Sequence, residues 1–289
     1  MLRALTSGVS GIQQFQNRLD VIGNNIANSN TIAFKAARVD FADAFSQTLQ
    51  VSSASASGSG QAGMQLGSGV ITSSVKNIFT QGALNRTGVS TDLAIDGGGF
   101  FVVRDPVSQV EYVTRAGDFR LDSNNYLITN KGLRVQGFNA ANNTSGGSRG
   151  DIQVDANLAP ATTSPTATMT TFSIGRDGDV KVHMSDGSEF MRAQILLQRF
   201  SDPQALLKEG DNLFSGIGAA GPLGGSTPLA GQPGTSGLGR IESSALELSN
   251  VDLANEFASL IATQRGFQAS ARIITTSDEI LQELVNLKR

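Results

Sequence analysis

Gly146-Gly-Ser148-Arg-Gly150 matches the Gly-x-Ser-x-Gly pattern in which a hydrolase presents a serine nucleophile. Such a serine needs a strained strand-to-helix turn, whereas this copy lies in a polar stretch, residues 139–150, with no helical pattern after it. The sole imidazole that could serve as its base, His183, falls in an alternating run that reads as a strand. A single histidine and no cysteine leave no zinc ligand set and no disulfide. Gly97-Gly-Gly99 suggests a phosphate cradle, but Phe-Phe-Val-Val follows it and reads as a strand, where a phosphate loop would open a helix. The glycines read instead as a turn or bulge needing backbone freedom. Asp122-Ser-Asn-Asn125 and Asp177-Gly-Asp179 lack the calcium-loop register and read as hairpin turns. The expectation is a protein with no enzymatic activity, cofactor, metal or small-molecule substrate.

Bulk composition narrows the classes further. The 289 residues carry a net charge of −3 and no cluster of Lys or Arg, which argues against nucleic-acid binding. Hydrophobic residues at 39%, no Trp and 33 glycines make a lean core with many turns. The first ten residues have no continuous apolar run of the secretory type, and no stretch approaches a membrane span.

The elements that would position any site are legible from periodicity. Met1, Leu5, Gly8, Ile12, Phe15, Leu19, Ile22 and Ile26 recur at alternating spacings of four and three. Leu253, Phe257, Leu260, Gln264, Phe267, Ala271, Ile274, Asp278, Leu281 and Val285 repeat that rhythm at the other end. This is the seam of a coiled coil. The first helix is expected over about residues 2–28, ending in turn-forming Asn28-Ser-Asn-Thr31. The last begins at Ser249-Asn250-Val251-Asp252, where capping oxygens and then Glu256 meet the positive helix end, and closes on Lys288-Arg289. Ile261, Ile273, Ile280, Leu284 and Leu287 lie off the C-terminal seam and leave apolar surface for a further body. Helix packing and inter-subunit contact are therefore assigned to Leu5, Ile12, Leu19, Ile22, Ile26, Leu253, Phe257, Leu260, Phe267, Ile274, Leu281 and Val285. Asn24 and Asn25 are read equally as inter-subunit hydrogen-bonding residues or as a helix cap, and Asn28 as a cap. Gln264 and Asp278 are read as polar residues that fix seam register, with a merely exposed helix turn as the rival reading.

Between the helices the pattern changes to short alternating runs separated by Gly, Asn and Asp turns, which describes an antiparallel β domain. The predicted fold is α+β: discontinuous N- and C-terminal helices form a coiled-coil-like domain around an inserted antiparallel all-β domain. The expected division is 1–30 with 250–289 as a helical polymerisation domain, 31–65 as an extended or linker segment, 66–240 as an outer β-rich domain and 241–249 as a return linker. Residues 41–49 are expected to be helical, and 51–63 is a Ser- and Gly-rich low-complexity stretch. One isolated helix is marginal in water, so the ends are expected to order only when copies stack.

Leu19-Asp-Val-Ile-Gly-Asn-Asn-Ile-Ala-Asn28, followed by Thr31-Ile-Ala-Phe34-Lys35, resembles the N-terminal signature of the bacterial flagellar rod and hook axial proteins. Phe41-Ala-Asp-Ala-Phe45, Asp92-Leu-Ala-Ile-Asp-Gly-Gly-Gly-Phe-Phe101, Tyr112-Val-Thr-Arg-Ala-Gly-Asp-Phe119, Asn250-Val-Asp-Leu253, Thr263-Gln-Arg265 and Ser277-Asp-Glu-Ile-Leu281 resemble further blocks of that family, in its order. The resemblance implies a structural subunit at the flagellar hook or basal body, outside the cytoplasm. It implies export unfolded through the flagellar type III apparatus and polymerisation into a helical tube that transmits torque. The partners implied are further copies of the chain, adjacent rod, hook and junction proteins, and a hook or rod cap. Residues 19–28 and 268–277 resemble hook subunits more, while Ile174-Gly-Arg-Asp-Gly178 and the Ser-rich stretch after Leu49 resemble the distal rod. A short hook-type subunit is favoured, with a distal rod subunit as the alternative. A secreted adhesin with a trimeric stalk is disfavoured because both ends of one chain carry the heptad pattern.

Overall fold

The computed structural model describes residues 2–51, 62–139, 149–155, 167–223 and 231–287. The chain divides into two compact units, one of Met1–Ser29, Ala36–Ile78 and Val251–Arg289, the other of Asn30–Lys35 and Phe79–Asn250. The division differs from the expected one: residues 36–78 belong with the helices.

In the first unit α1 (Leu2–Ala27) is followed by β1 (Ala37–Asp43), β2 (Ser46–Gln50), β3 (Met64–Gly67) and β4 (Val70–Asn77), and α2 (Leu253–Asn286) completes it. β1 pairs antiparallel with β4 from Ala37↔Asn77 to Asp43↔Val70, with a bulge at Asp40/Phe41, and β2 pairs with β3. Residues 41–43 and 46–49 are thus strand, joined by Ala44-Phe45, and not helix. Ala-Asp-Ala suits a helix locally, but ladder partners on β3 and β4 satisfy the backbone, and tertiary pairing overrides weak propensity. α1 lies against this hairpin through Phe15, edge-on to Phe41 with ring centroids 6.4 Å apart. Arg18 stands over the Phe41 ring at 6.0 Å, Asn17 donates to Thr72 at 3.4 Å, and Ser10 accepts from the Val70 amide at 3.4 Å.

α2 starts where its capping residues predicted. Asp252 Oδ1 accepts from the amides of Ala254 (2.9 Å) and Asn255 (3.4 Å), satisfying donors that the first turn leaves open. At the end of α1, the Asn28 amide and side chain both donate to the carbonyl of Asn24, the expected cap. Lys288 and Arg289 lie outside the described residues.

The second unit is antiparallel β. Its strands are β5 (Leu84–Arg86), β6 (Leu93–Asp96), β7 (Phe100–Arg104), β8 (Glu111–Thr114), β9 (Arg120–Leu121), β10 (Leu127–Ile128), β11 (Arg134–Phe138) and β12 (Arg149–Asp151). Then follow β13 (Met169–Ile174), β14 (Asp179–Met184), β15 (Glu189–Ile195), β16 (Leu197–Gln198), β17 (Leu207–Gly210), β18 (Leu213–Ser215), β19 (Arg240–Ser243) and β20 (Ala245–Glu247). The main sheet runs β13-β14-β15-β11-β7-β8-β18-β17, while β19 pairs with β6 and β20 with β5. Residues 241–249, expected as a return linker, therefore contribute strands. They escape a periodicity reading because each is only three or four residues long and carries charged groups. One core gathers Leu93, Ile95, Phe101, Val103, Leu127 and Ile241, and another Phe100, Val102, Phe200 and Phe214. Gly97 and Gly99 hold φ of 114° and 129°, so the glycine run is the turn its backbone freedom implied. The Ser148 pattern and most of residues 51–63 lie outside the described residues.

Asp151 ties three strands of this unit. Its Oδ1 accepts from Arg104 Nη2 (2.5 Å) and Gln136 Nε2 (2.6 Å), and its Oδ2 from Arg134 Nη1 (2.8 Å). Burial pushes the Asp151 pKa up, but the bonds from Arg134, Gln136 and Arg104 outweigh it and hold the carboxyl below its ordinary value. A depressed carboxyl stabilises the fold above the ordinary carboxylate range and loses that contribution as pH falls through its folded value. Asp151→Asn should cost about 2 kcal/mol at neutral pH. It should also flatten the acid limb below about pH 4, read by urea unfolding of the β unit across pH. An unchanged acid limb would mean the cluster contributes nothing.

Candidate assembly site

The two helices run antiparallel and very close. A β-carbon on Gly266 would sit 2.7 Å from Phe15 Cζ, one on Gly8 3.1 Å from Ile274 Cγ1, and one on Gly11 3.1 Å from Ser270 Oγ. On α1, Gly8 and Ile22 are buried, and Leu5, Ile12, Phe15, Leu19 and Ile26 are half-buried. On α2 the inward row is Glu256, Leu260, Thr263, Phe267, Ser270, Ile274, Ser277 and Leu281, at alternating spacings of four and three. Four of the assigned residues, Leu260, Phe267, Ile274 and Leu281, lie on it; between them stand polar or small groups. Thr263 and Ser277 are buried, yet each hydroxyl donates to a carbonyl of its own helix, Ser259 O at 2.6 Å and Ile273 O at 2.7 Å. Buried hydroxyls satisfied in this way carry little penalty.

Large apolar side chains of α2 are displaced outward. Leu253, Phe257, Ile261, Ile273, Ile280 and Leu284 are each about half exposed. Gln264 and Asp278, expected on the seam, are exposed as well. Beyond Leu281, Val285 and Leu287 are 66% and 83% exposed. Across the hairpins Phe45, Leu49, Val51, Met64, Leu66, Ile71 and Val75 are exposed too. Apolar surface on this scale marks an interaction face.

Asn25 and Asn24 separate. Asn24 is exposed, whereas Asn25 is buried and acts within the subunit. Its Oδ1 accepts from the Ala37 amide at 3.0 Å, and its Nδ2 donates to Ala37 O at 2.8 Å and Glu256 Oε1 at 3.2 Å. One side-chain amide thereby pairs both backbone groups of the first residue of β1 and reaches α2. Sequence pattern alone could not distinguish the two neighbouring asparagines, since the 4–3 row passes from Ile22 to Ile26 and includes neither; the signal that was available is that position 25 lies three residues after Ile22, beside that row.

Candidate chemistry elsewhere stays unassembled. His183 Nδ1 stands 3.1 Å from Glu189 Oε1, and its Nε2 3.1 Å from Ser173 Oγ. This is the order of a catalytic triad, but Ser173 and Glu189 are exposed side chains on neighbouring strands of a sheet. A working triad also needs oxyanion donors and a substrate pocket. In a separate cleft of the β unit, burial raises the Asp118 pKa, Asn130 donates to its Oδ2 at 2.5 Å, and Lys131 pairs with Asp211 at 2.6 Å. That cleft is lined without an imidazole or a paired nucleophile. No cluster of metal-ligating side chains occurs among the described residues.

Family models match in three places: "Flagella basal body rod protein" over residues 5–35, "Flagellar hook protein FlgE/F/G D1 domain" over 94–182, and "Flagellar basal body rod FlgEFG protein C-terminal" over 242–287. The flagellar basal-body rod protein FlgG of Bacillus subtilis is 43% identical over 290 residues, covering all of both chains. FlgG of Borreliella burgdorferi is 32% identical over 292 residues, again covering both fully. The chain belongs to the flagellar rod and hook protein family. It is a structural subunit of the flagellar axis. Membership carries self-polymerisation and association with other axial components. The hook protein FlgE of Borreliella burgdorferi is also similar, 28% identical over 448 residues.

Two substitutions separate the roles of this axial subunit's inward residues. Asn25→Ala strands the Ala37 backbone groups and should cost about 2–3 kcal/mol, with faster amide exchange at Ala37. Gly266→Val should cost about 1–3 kcal/mol by overpacking against Phe15. Denaturant unfolding of the helix unit checks both, and a neutral Gly266→Val would show that the helices are not held at this spacing.

Proposed function

We propose that this axial subunit is of the distal-rod type and has no catalytic activity. The observation that carries the assembly reading is the apolar row left outward on α2. Covering six half-exposed side chains yields on the order of 5–9 kcal/mol gross, comparable with the cost of association. One neighbour would leave little surplus. Several neighbours, as a non-closing helical tube supplies, convert the same row into a stable polymer. The assigned residues Leu253, Phe257 and Val285 then contact other copies, while Leu260, Phe267, Ile274 and Leu281 hold the intrachain pair.

Length supports the rod over the hook. The alignment with Bacillus FlgG needs 290 positions for the 289 residues here, whereas that with the Borreliella hook protein needs 448. The hook relative therefore carries a large insertion without counterpart in this chain. That favours the alternative held by the sequence reading over the hook-type subunit it preferred. In this role the chain is exported unfolded by the flagellar export apparatus, assembles under a cap, and meets adjacent rod, hook and junction proteins. The exposed apolar hairpin of β2 and β3 braces neighbouring copies and keeps the tube straight.

Phe257→Glu or Leu284→Glu should abolish polymerisation, since a buried unpaired charge recurs in every subunit. Each should leave monomer unfolding within about 0.5 kcal/mol of the parent. Sedimentation and electron microscopy read the first outcome and denaturant unfolding the second; normal polymers from either variant would sink the assembly face. Deleting residues 51–63 tests rod against hook. A straight parent polymer that becomes pliable supports the rod, and a curved parent unaffected by the deletion supports the hook.

A further inference from the structure

Within the β unit, three charges are buried together. Lys35 Nζ donates to Glu247 Oε1 at 2.6 Å, and Arg115 Nη1 donates to Glu247 Oε2 at 3.4 Å. Lys35 and Glu247 side chains are fully buried and Arg115 is 5% exposed. Glu247 also accepts the Gly82 amide on Oε1 at 2.8 Å, and its carbonyl accepts the Ala33 amide at 2.8 Å. Lys35 donates further to Thr80 O at 2.7 Å, and Arg115 to Gly97 O at 2.8 Å. Asn250 then donates to Thr80 Oγ1 at 2.9 Å. The side chains come from segments far apart in sequence, one from each of the three matched family regions.

The balance of charge gives this cluster an order. Two cations share one carboxylate, and burial lowers the pKa of both Lys35 and Arg115, the sign of cations held away from water. Residues 30–243 by themselves would place both cations in the interior with no anion to offset them. Glu247 ends β20, the last strand of the unit. We propose that Glu247 is a folding latch: the β unit reaches its stable state only when the final strand docks and its carboxylate closes on Lys35 and Arg115. A chain emerging N-terminus first is thereby kept short of a stable β unit until nearly all of it is available.

A latch that closes last has a kinetic signature. Its loss speeds unfolding and leaves refolding unchanged, because the contact is absent from the transition state. In the full-length chain, Glu247→Gln should unfold about 100-fold faster, since breaking a buried pair strands a charge. The Ala33 and Gly82 amides should exchange faster in proportion. Lys35→Met keeps the Arg115–Glu247 pair, so it should fold even where Glu247→Gln does not, and should unfold about 10-fold faster. Refolding rates within about twofold of the parent support the latch. Refolding slowed in step with the loss of stability would make the cluster an early nucleus and overturn the proposal, and so would unfolding rates that do not change.

Discussion

Between Phe15 and Gly266 there is no room for a β-carbon, and Gly8 and Gly11 press Ile274 and Ser270 almost as closely. Helices held at that spacing cannot seat long aliphatic chains at every position between them. Alternate inward positions of α2 therefore go to Thr263, Ser270 and Ser277, whose small volume permits the approach. Their hydroxyl groups need no partner across the seam, because Thr263 and Ser277 bond their own helix. Leu253, Phe257, Ile261, Ile280 and Leu284 are left on the other faces of α2. Close packing inside the subunit and an apolar exterior on the same helix are one constraint seen from two sides.

Both units also rely on single polar side chains that gather distant segments. Asn25 substitutes for a strand partner at Ala37 while holding Glu256. Glu247 receives Lys35, Arg115 and the Gly82 amide. Satisfied groups of this kind specify one arrangement, because any alternative leaves a buried donor or charge without a partner. Apolar packing alone tolerates slippage that these groups forbid.

What the sequence disclosed follows from which forces are local. Helix ends were legible because Asp252 caps its own first turn and Asn28 its own last. Strands such as residues 100–104 and 134–138 were legible from alternation and flanking turns. Residues 41–49 were misread because Ala-Asp-Ala is locally helical and only β3 and β4, distant in sequence, make it strand. The α1 stripe lies inward, whereas on α2 half of the expected seam is shifted by one position: the 4–3 spacing begun at Leu253 chose Phe257 and Gln264 over Glu256 and Thr263. That rule fails where close approach, not burial, sets the residue. The buried charges could not be paired from sequence, since Lys35, Arg115 and Glu247 meet only through the sheet. Hook and rod were likewise close, because the motifs that define the family belong to parts both share.

An internal seam that is half polar also bears on when the helices order. The inward row of α2 carries four large apolar side chains, Leu260, Phe267, Ile274 and Leu281, few for a helix of 34 residues. Isolated helices gain little from propensity and depend on packing for most of their stability. In a lone chain that packing is thin, and past Leu281 the described side chains of α2 are exposed. The outward row holds the greater reserve of unburied apolar surface, and only other copies can draw on it. In the rod-type reading, order in the helix pair therefore rises with polymer growth, most steeply at the exposed end of α2. The same sequence thus limits self-association through its seam while folded alone and rewards it through its exterior once a tube exists to dock on.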